Sequence, residues 1–346
     1  MENLLEKMIK KERTEELTRL DAVRIVNDLF SKLLDRERDI LSRRFGLLSG
    51  RRETLEKIGQ EHQLTRERVR QIESASIKKI KKLDDLEGQI SILKQTVYKL
   101  LKDHGGLVRR EYLLDMLTVM SLEIDKELKY ESDNYEAKRA TYHNHFDFIL
   151  SRLMDKDLEL IAKDDNFYDA YKIKDESVNY LEELADDLLA KVDLLKKTYT
   201  TEELLELLRQ LDAYNKYQEK FKEESGSNIF KVFKSKVFPD KAEIINSNKV
   251  LYSFIQAIKN LGQNRFGDWG LSDSQEIKPK TINDKIYLVL KHEKQPLHFT
   301  EIAARINEVK FDKKTANAAT VHNELILDNR YVLTGRGTYG LTEWSR

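Results

Sequence analysis

Arg66, Arg70 and Ser74 recur at four-residue spacing, with Glu67 and Gln71 beside them, in the stretch TRERVRQIESASIKKIKKL at 65–83. On a helix advancing about 100° per residue these five share one arc. Val69, Ile72, Ser76, Ile80 and Leu83 fall on the opposite, narrow arc. A helix so patterned packs through one side and holds out a row of long polar side chains on the other. Those side chains are the ones that read base edges: arginine clasps guanine with two donors, glutamine pairs with adenine, and a carboxylate accepts from the cytosine amino group. Between 65 and 82 stand seven basic residues (Arg66, Arg68, Arg70, Lys78, Lys79, Lys81, Lys82) and only two acidic ones, Glu67 and Glu73. That is a phosphate-binding footprint on a single helix.

The preceding residues supply what would position it. Thr54 is a candidate N-cap, and Leu55 and Ile58 give a first short helix its apolar face. Gly59 permits close packing of two helices, Glu61-His62-Gln63-Leu64 makes a turn, and Thr65 caps a second helix running to about Leu83. A helix-turn-helix has this order, and its second helix enters the major groove with its N-terminal residues at base edges. The plainer alternative is a solvated amphipathic helix whose basic end complements its dipole.

The residue identities favour the first reading. LDRERDILSRRFGLLSGRRETLEKIGQEHQLTRERVRQIESASIKKIKKL, at 34–83, resembles region 4 of primary bacterial sigma factors nearly without gaps. RERDILSRRFGL is similar to the first half of that region, and TLEKIG…LTRERVRQIE to the half that recognises the promoter −35 element. The resemblance implies that Arg66, Glu67 and Gln71 touch −35 base edges and that Thr65, Arg68, Arg70, Lys78 and Lys79 contact mainly phosphates. It implies also that the apolar first half (Ile40, Leu41, Phe45, Leu47) packs the domain and receives the flap tip of the polymerase β subunit. A sigma factor melts promoters with an aromatic-rich helical domain before region 4, and only 33 residues precede it here. The expectation is a chain that does not open promoters alone.

The whole chain has 346 residues, room for two to four domains of ordinary size. Lys+Arg and Asp+Glu balance at 61 each, so only the distribution of charge speaks about partners. No cysteine is present, which excludes disulfides, thiol catalysis and cysteine-ligated metal. No apolar run approaches the ~20 residues of a membrane span. The N-terminal stretch is charged throughout with no hydrophobic signal core, so a cytoplasmic protein is expected. Three prolines (Pro239, Pro279, Pro296) and recurrent apolar residues at helical spacing predict a mainly α chain.

At 286–344 the pattern reads helix, short PLHFT strand, helix, helix, then a hairpin around Gly335-Arg336-Gly337. Three helices and a hairpin make a winged helix. The segments PLHFTEIA and GRGTYGL resemble the HARE-HTH family, whose members include the delta subunit of bacterial RNA polymerase. Its third helix offers Asn317, Thr320, His322 and Asn323, and the basic residues are Arg330, Arg336, Lys313 and Lys314. Both a DNA-reading and a protein-binding role stay open for it.

The stretch VYKLLKDHGGLVRREYLLDML at 97–117 parallels IYLVLKHEKQPLHFTEIAARI at 286–306, with Tyr98 matching Tyr287, Lys102 matching Lys291 and Glu111 matching Glu301. TYTTEELLELL at 198–208 and VLYSFIQAIKNLGQNRFGDWGL at 250–271 suggest a weaker copy. The fold expected is therefore an N-terminal helix-turn-helix domain with a helical extension (1–84), followed by tandem winged-helix units with short hairpin wings at 92–175, 180–272 and 281–346. Linkers fall near 84–92, 174–180 and 272–281; coincidence among short helical patterns is the alternative. The acidic stretch 175–193 is a solvated face or a mimic of nucleic acid.

Candidate chemistry elsewhere is thin. His143 and His145, two apart, suit one face of a strand, but spacing places no third ligand, so no metal is expected. Pro239-Asp240 followed by Glu276-Ile277-Lys278 matches a nuclease pattern formally, yet the residues between read as a helix and a wing, not paired core strands. No phosphate-cradling loop, nucleophile elbow or zinc-protease motif occurs. No enzyme, cofactor, small-molecule ligand or membrane contact is expected. The partners expected are double-stranded DNA and the RNA polymerase core through its β flap. The competing reading is an accessory polymerase subunit, delta-like and flap-binding, for which DNA is incidental.

Overall fold

The computed structural model of the protein describes residues 20–122, 135–161, 166–222 and 242–345. They are mainly helical with small antiparallel sheets, in two compact units: one holds the chain up to Asn179 with Glu219–Ala257, the other Tyr180–Gln218 with Ile258–Arg346. Among the described residues, no helix is long and apolar enough to cross a membrane.

The first unit opens with α1 (Ala22–Phe30), whose N-terminus is capped by Asp21 accepting from the Val23 and Arg24 amides at 3.0 and 3.1 Å. Its apolar face buries Ile25, Val26, Leu29 and Phe30. Helix α2 (Asp35–Phe45) stops at Gly46, whose φ of +67° is the left-handed conformation that ends helices. Next come α3 (Leu55–His62) and α4 (Arg66–Ile80). The anticipated linker at 84–92 is instead mostly helix: α5 (Leu86–Asp103) starts at Leu86, and Leu86 and Ile90 are buried.

Strand β1 (Leu107–Arg109) leads into α6 (Arg110–Leu122). Helix α7 (Tyr135–Phe148) continues as a π turn over Ile149–Leu153, and β2 (Leu158–Ile161) and β3 (Ala170–Ile173) form a hairpin. The sheet runs β1-β3-β2, all antiparallel, with Leu107 opposite Lys172 and Leu158 opposite Ile173. The helix Lys249–Ala257 returns to this sheet, where the Ser253 hydroxyl donates to the Leu107 carbonyl at 2.9 Å. That contact places it with the first unit.

In the second unit, α8 (Tyr180–Leu195) buries Leu181, Leu184, Leu188 and Val192, while Glu183 on its outer side accepts from Lys216 and Tyr217. Helix α9 (Thr201–Arg209) begins in a Thr200–Glu203 capping box. Before it, Tyr199 exchanges backbone hydrogen bonds with Trp269 of the hairpin β4 (Leu261–Gln263) and β5 (Trp269–Leu271). The C-terminal part has α10 (Ile282–Glu293), β6 (Leu297–His298), α11 (Phe299–Val309), α12 (Ala318–Leu327), β7 (Tyr331–Gly335) and β8 (Thr338–Leu341). Its core includes Ile286, Leu290, Ile302, Ile306, Val321 and Leu325.

Helix, strand, helix, helix, hairpin is thus an order found twice, at α5–β3 and at α10–β8. The pairing agrees as well, since β6-β8-β7 repeats β1-β3-β2. The α5–β3 sheet gains a third strand, β1, that reading its hairpin alone leaves out, while β6 falls within the anticipated PLHFT strand.

Candidate nucleic-acid interface

The site is built from local signals first. Thr54 Oγ1 accepts from the Lys57 amide and Thr65 Oγ1 from the Arg68 amide, both at 3.2 Å, so each helix starts at a threonine. Between them α3 extends through His62, and the turn is shorter than the four residues anticipated. Gln63 takes a left-handed φ of 54°, and the Leu64 amide donates back to the Gly59 carbonyl at 2.8 Å. Gly59 is required at the turn itself: a Cβ there would stand 2.6 Å from the Leu64 carbonyl oxygen. Ile40, Ile58 and Val69 then close a small core with Leu55, Leu64 and Ile72 around it.

Polar links tie α3 and α4 to α2. Glu73, only 12% exposed, meets Arg44 of α2 at 3.3 Å. His62 Nε2 lies 2.7 Å from Asp39 Oδ2, and Arg36 donates to the His62 carbonyl at 2.9 Å. Helix α4 ends at Ile80, three residues before the anticipated Leu83, because Lys81 to Leu83 tighten into turns.

The predicted row lies on the solvent side. Thr65, Arg66, Glu67, Arg68, Arg70, Gln71, Ser74, Lys78 and Lys79 are all exposed, while Val69, Ser76 and Ile80 are buried. The row is largely self-paired. Arg66 meets Glu56 at 2.9 Å; Arg70 grips Glu67; Arg68 donates to Gln71 at 3.2 Å; Lys79 reaches Glu37 at 3.1 Å. Arg70 holds the Glu67 carboxyl below the usual carboxylate range, chiefly through its hydrogen bonds. Lys78 and Lys82 have no such partner among the described residues. Exposed pairs of this kind contribute little, so a polyanion can displace them.

The first half of the N-terminal head, residues 34–83, is more enclosed than a free surface. Ile40, Leu41, Phe45 and Leu47 are all buried. Phe148 of α7 packs edge-on against Phe30 and Phe45, with centroids 5.5 and 4.9 Å apart. Beside it the buried Asp147 receives Arg52 at 2.6 Å and Arg110 at 2.7 Å, and Asn144 donates to the Gly46 and Gly50 carbonyls. None of these long-range partners carries a sequence signal.

The other candidate residues scatter. His143 and His145 lie on helix α7, not on a strand; His143 meets Glu111 at 3.2 Å, and His145 Nδ1 donates to the Thr141 carbonyl. Among the described residues no cluster of metal-ligating side chains forms. Pro239-Asp240 lies outside the described residues, and Glu276-Ile277-Lys278 is a loop in which Glu276 binds Lys291 at 2.7 Å and Ile277 is buried. In the C-terminal part Asn317 caps α12, and Arg330 is taken up by Asp328 and Asn283, whose contacts hold the Asp328 carboxyl down at about 2 with Arg330 the main cause.

Comparison with known proteins agrees on where the head lies. Residues 29–82 match the family Sigma-70, region 4. The RNA polymerase sigma factor SigA of Lactococcus lactis is 46% identical over 56 residues, 16% of this chain and 15% of that protein. Sigma factor SigA1 of Synechococcus elongatus is 51% identical over 53 residues (15% and 13%), and the principal sigma factor HrdD of Streptomyces coelicolor 45% over 58 (17% and 18%). The chain therefore spans less than a fifth of the length of these relatives. No solved structure matches it.

Proposed function

We propose that the chain is a non-enzymatic bacterial transcription factor that reads −35-like duplex DNA with α4 and associates with RNA polymerase. The observation that carries this reading is the exposed Arg66–Glu67–Gln71 row on the second helix of a capped helix-turn-helix, inside the segment that matches Sigma-70, region 4. Arg66, Glu67 and Gln71 meet base edges in the major groove. Thr65, Arg68, Arg70, Lys78 and Lys79 hold phosphates and set the salt dependence. A cytoplasmic location follows from work beside the polymerase.

Downstream, the repeated order of helices and strands supports winged-helix units at α5–β3 and α10–β8, the second in the manner of HARE-HTH domains such as the polymerase delta subunit. With Arg330 and Asn317 committed to structure, the C-terminal unit suits a protein partner better than a base-reading role.

The accessory-subunit reading would seat the β flap on the apolar first half of the head. Phe148 and α7 occupy that face, so the flap reaches it only where α7 gives way. A pure flap binder would also have no use for the exposed row on α4.

The experiment is selection from random duplex DNA by the full-length chain near physiological salt, with Arg66→Ala/Gln71→Ala in parallel. Enrichment of a −35-like hexamer, absent with the double variant, is the expected result. Binding without enrichment in the wild type overturns base reading in favour of an architectural role, and no binding shifts the function to polymerase docking.

A further inference from the structure

One side of α4 faces a second wall. Arg70, Ser74, Lys78 and Lys81 line a cleft of about 330 Å³ whose other side is built by Arg152 and Asp155, from the π turn and the residues after it. The family match ends at residue 82, so this second wall lies outside it. Arg70, Ser74 and Lys78 also belong to the exposed row, and the cleft is therefore continuous with the surface proposed to read DNA.

The charges in the cleft are unequal. Four basic residues line it against Glu73 and Asp155. Glu73 is nearly buried, already bridged to Arg44 at 3.3 Å, and touches Arg152 only at 4.0 Å. Arg152 stands over the Phe45 ring, 5.4 Å from its centroid, with its side chain 44% exposed. Asp155 grips Lys81 through both carboxylate oxygens at 2.7 Å. A helix lying in the major groove has a phosphate backbone along each edge. An arginine on the wall beside that helix, as Arg152 is, meets one of them.

We propose that this cleft seats the DNA backbone flanking the groove read by α4, with Arg152 as a phosphate contact and Asp155 as the carboxylate that opposes it. The inference rests on the reading of α4 as a DNA-binding helix. It makes the footprint of this head wider than the matched segment alone can produce. Phosphate competes with Asp155 for Lys81, so Arg152 and Asp155 are predicted to act on affinity with opposite signs.

The test is a salt titration of binding by the full-length chain to two duplexes of equal length, one with a −35-like hexamer and one scrambled. Arg152→Ala, Arg152→Lys, Asp155→Asn and Arg66→Ala/Gln71→Ala are compared with wild type, with thermal unfolding as a folding control. Arg152→Ala is expected to weaken both duplexes alike and to reduce the slope of log K against log[salt] by about 0.9, one phosphate contact. Arg152→Lys keeps the slope, and Asp155→Asn tightens both duplexes. A merely structural role would weaken binding in both Arg152→Ala and Asp155→Asn.

An unchanged slope in Arg152→Ala, or weakening by Asp155→Asn, overturns the cleft while hexamer preference in the wild type leaves the reading of α4 intact. No hexamer preference in the wild type, with the Arg152 and Asp155 effects present, upholds the cleft and overturns base reading. Failure of the wild type to bind either duplex overturns both.

Discussion

Arg70 and Glu67 stand one turn apart on α4 and form a fork: Arg70 Nε donates to Glu67 Oε2 at 2.8 Å and Nη2 to Oε1 at 2.7 Å. The carboxylate proposed to accept from a cytosine amino group is thus neutralised, in the absence of DNA, by the guanidinium proposed to hold a phosphate. Both side chains are more than half exposed, so the pair is easily exchanged. The fork also keeps Glu67 from presenting a bare negative charge to the backbone of the duplex.

Glu67→Gln is therefore expected to raise affinity for duplex of any sequence, by freeing Arg70 and removing a charge of the wrong sign. The same change should relax preference at one base pair by on the order of tenfold. Arg70→Ala should lower affinity for all sequences. Competition titrations at fixed salt measure both, and an even loss of affinity in Glu67→Gln would show that this carboxylate does not face DNA.

Gly59→Ala tests the turn. The added methyl would lie 2.6 Å from the Leu64 carbonyl oxygen, a backbone atom that cannot rotate away. The helix-turn-helix must open to admit it, at a cost of roughly 1–3 kcal/mol. Urea denaturation should give a lower midpoint with unchanged slope. A variant as stable as wild type would mean that the α3–α4 turn relaxes freely.

The helix starts and the exposed row were legible because their causes are local. Thr54 and Thr65 cap the amides three residues on, and the arc of Val69, Ile72 and Ile80 follows from helical spacing alone. Strand β1 was harder to see, since Leu107 finds its partner only at Lys172. The charged run before Leu86 resembled a linker, yet Leu86 and Ile90 are buried and continue as helix. Arg152 and Asp155 illustrate the remaining limit: Asp155 meets Lys81 across 74 positions, and no spacing rule reaches so far.

His104 is expected to make stability fall in mild acid. It is buried, its Nδ1 donates to the Leu100 carbonyl at 2.7 Å, and burial pushes its pKa down from 6.5 to about 4. Between those values the unfolded chain binds a proton that the folded chain refuses, so unfolding becomes easier as pH drops. The full window is worth about 3 kcal/mol. His145, shifted downward mainly by burial, adds to the same slope. Denaturation midpoints between pH 7 and pH 4 should decline in the wild type and decline less in His104→Gln. Parallel curves for the two proteins would remove His104 as the cause.

The clamp between the head and α7 offers two separable variants. Asp147 is buried between Arg52 and Arg110, and removing its carboxylate leaves two guanidinium groups without their shared partner. Asp147→Ala should therefore destabilise the first unit by roughly 3 kcal/mol. Phe148 is fully buried against Phe30 and Phe45, and Phe148→Ala removes apolar contact at a cost of about 3–5 kcal/mol. Only the second uncovers the apolar face of α1 and α2. If that face seats the polymerase flap once α7 gives way, Phe148→Ala should capture an isolated β-flap fragment more strongly than wild type, at a temperature where both remain folded. Asp147→Ala loosens the same clamp without deleting its apolar plug, and is expected to produce a smaller gain. Equal, undetectable capture by all three proteins would mean that the face belongs to α7 permanently. The polymerase contact would then have to be sought elsewhere on the chain.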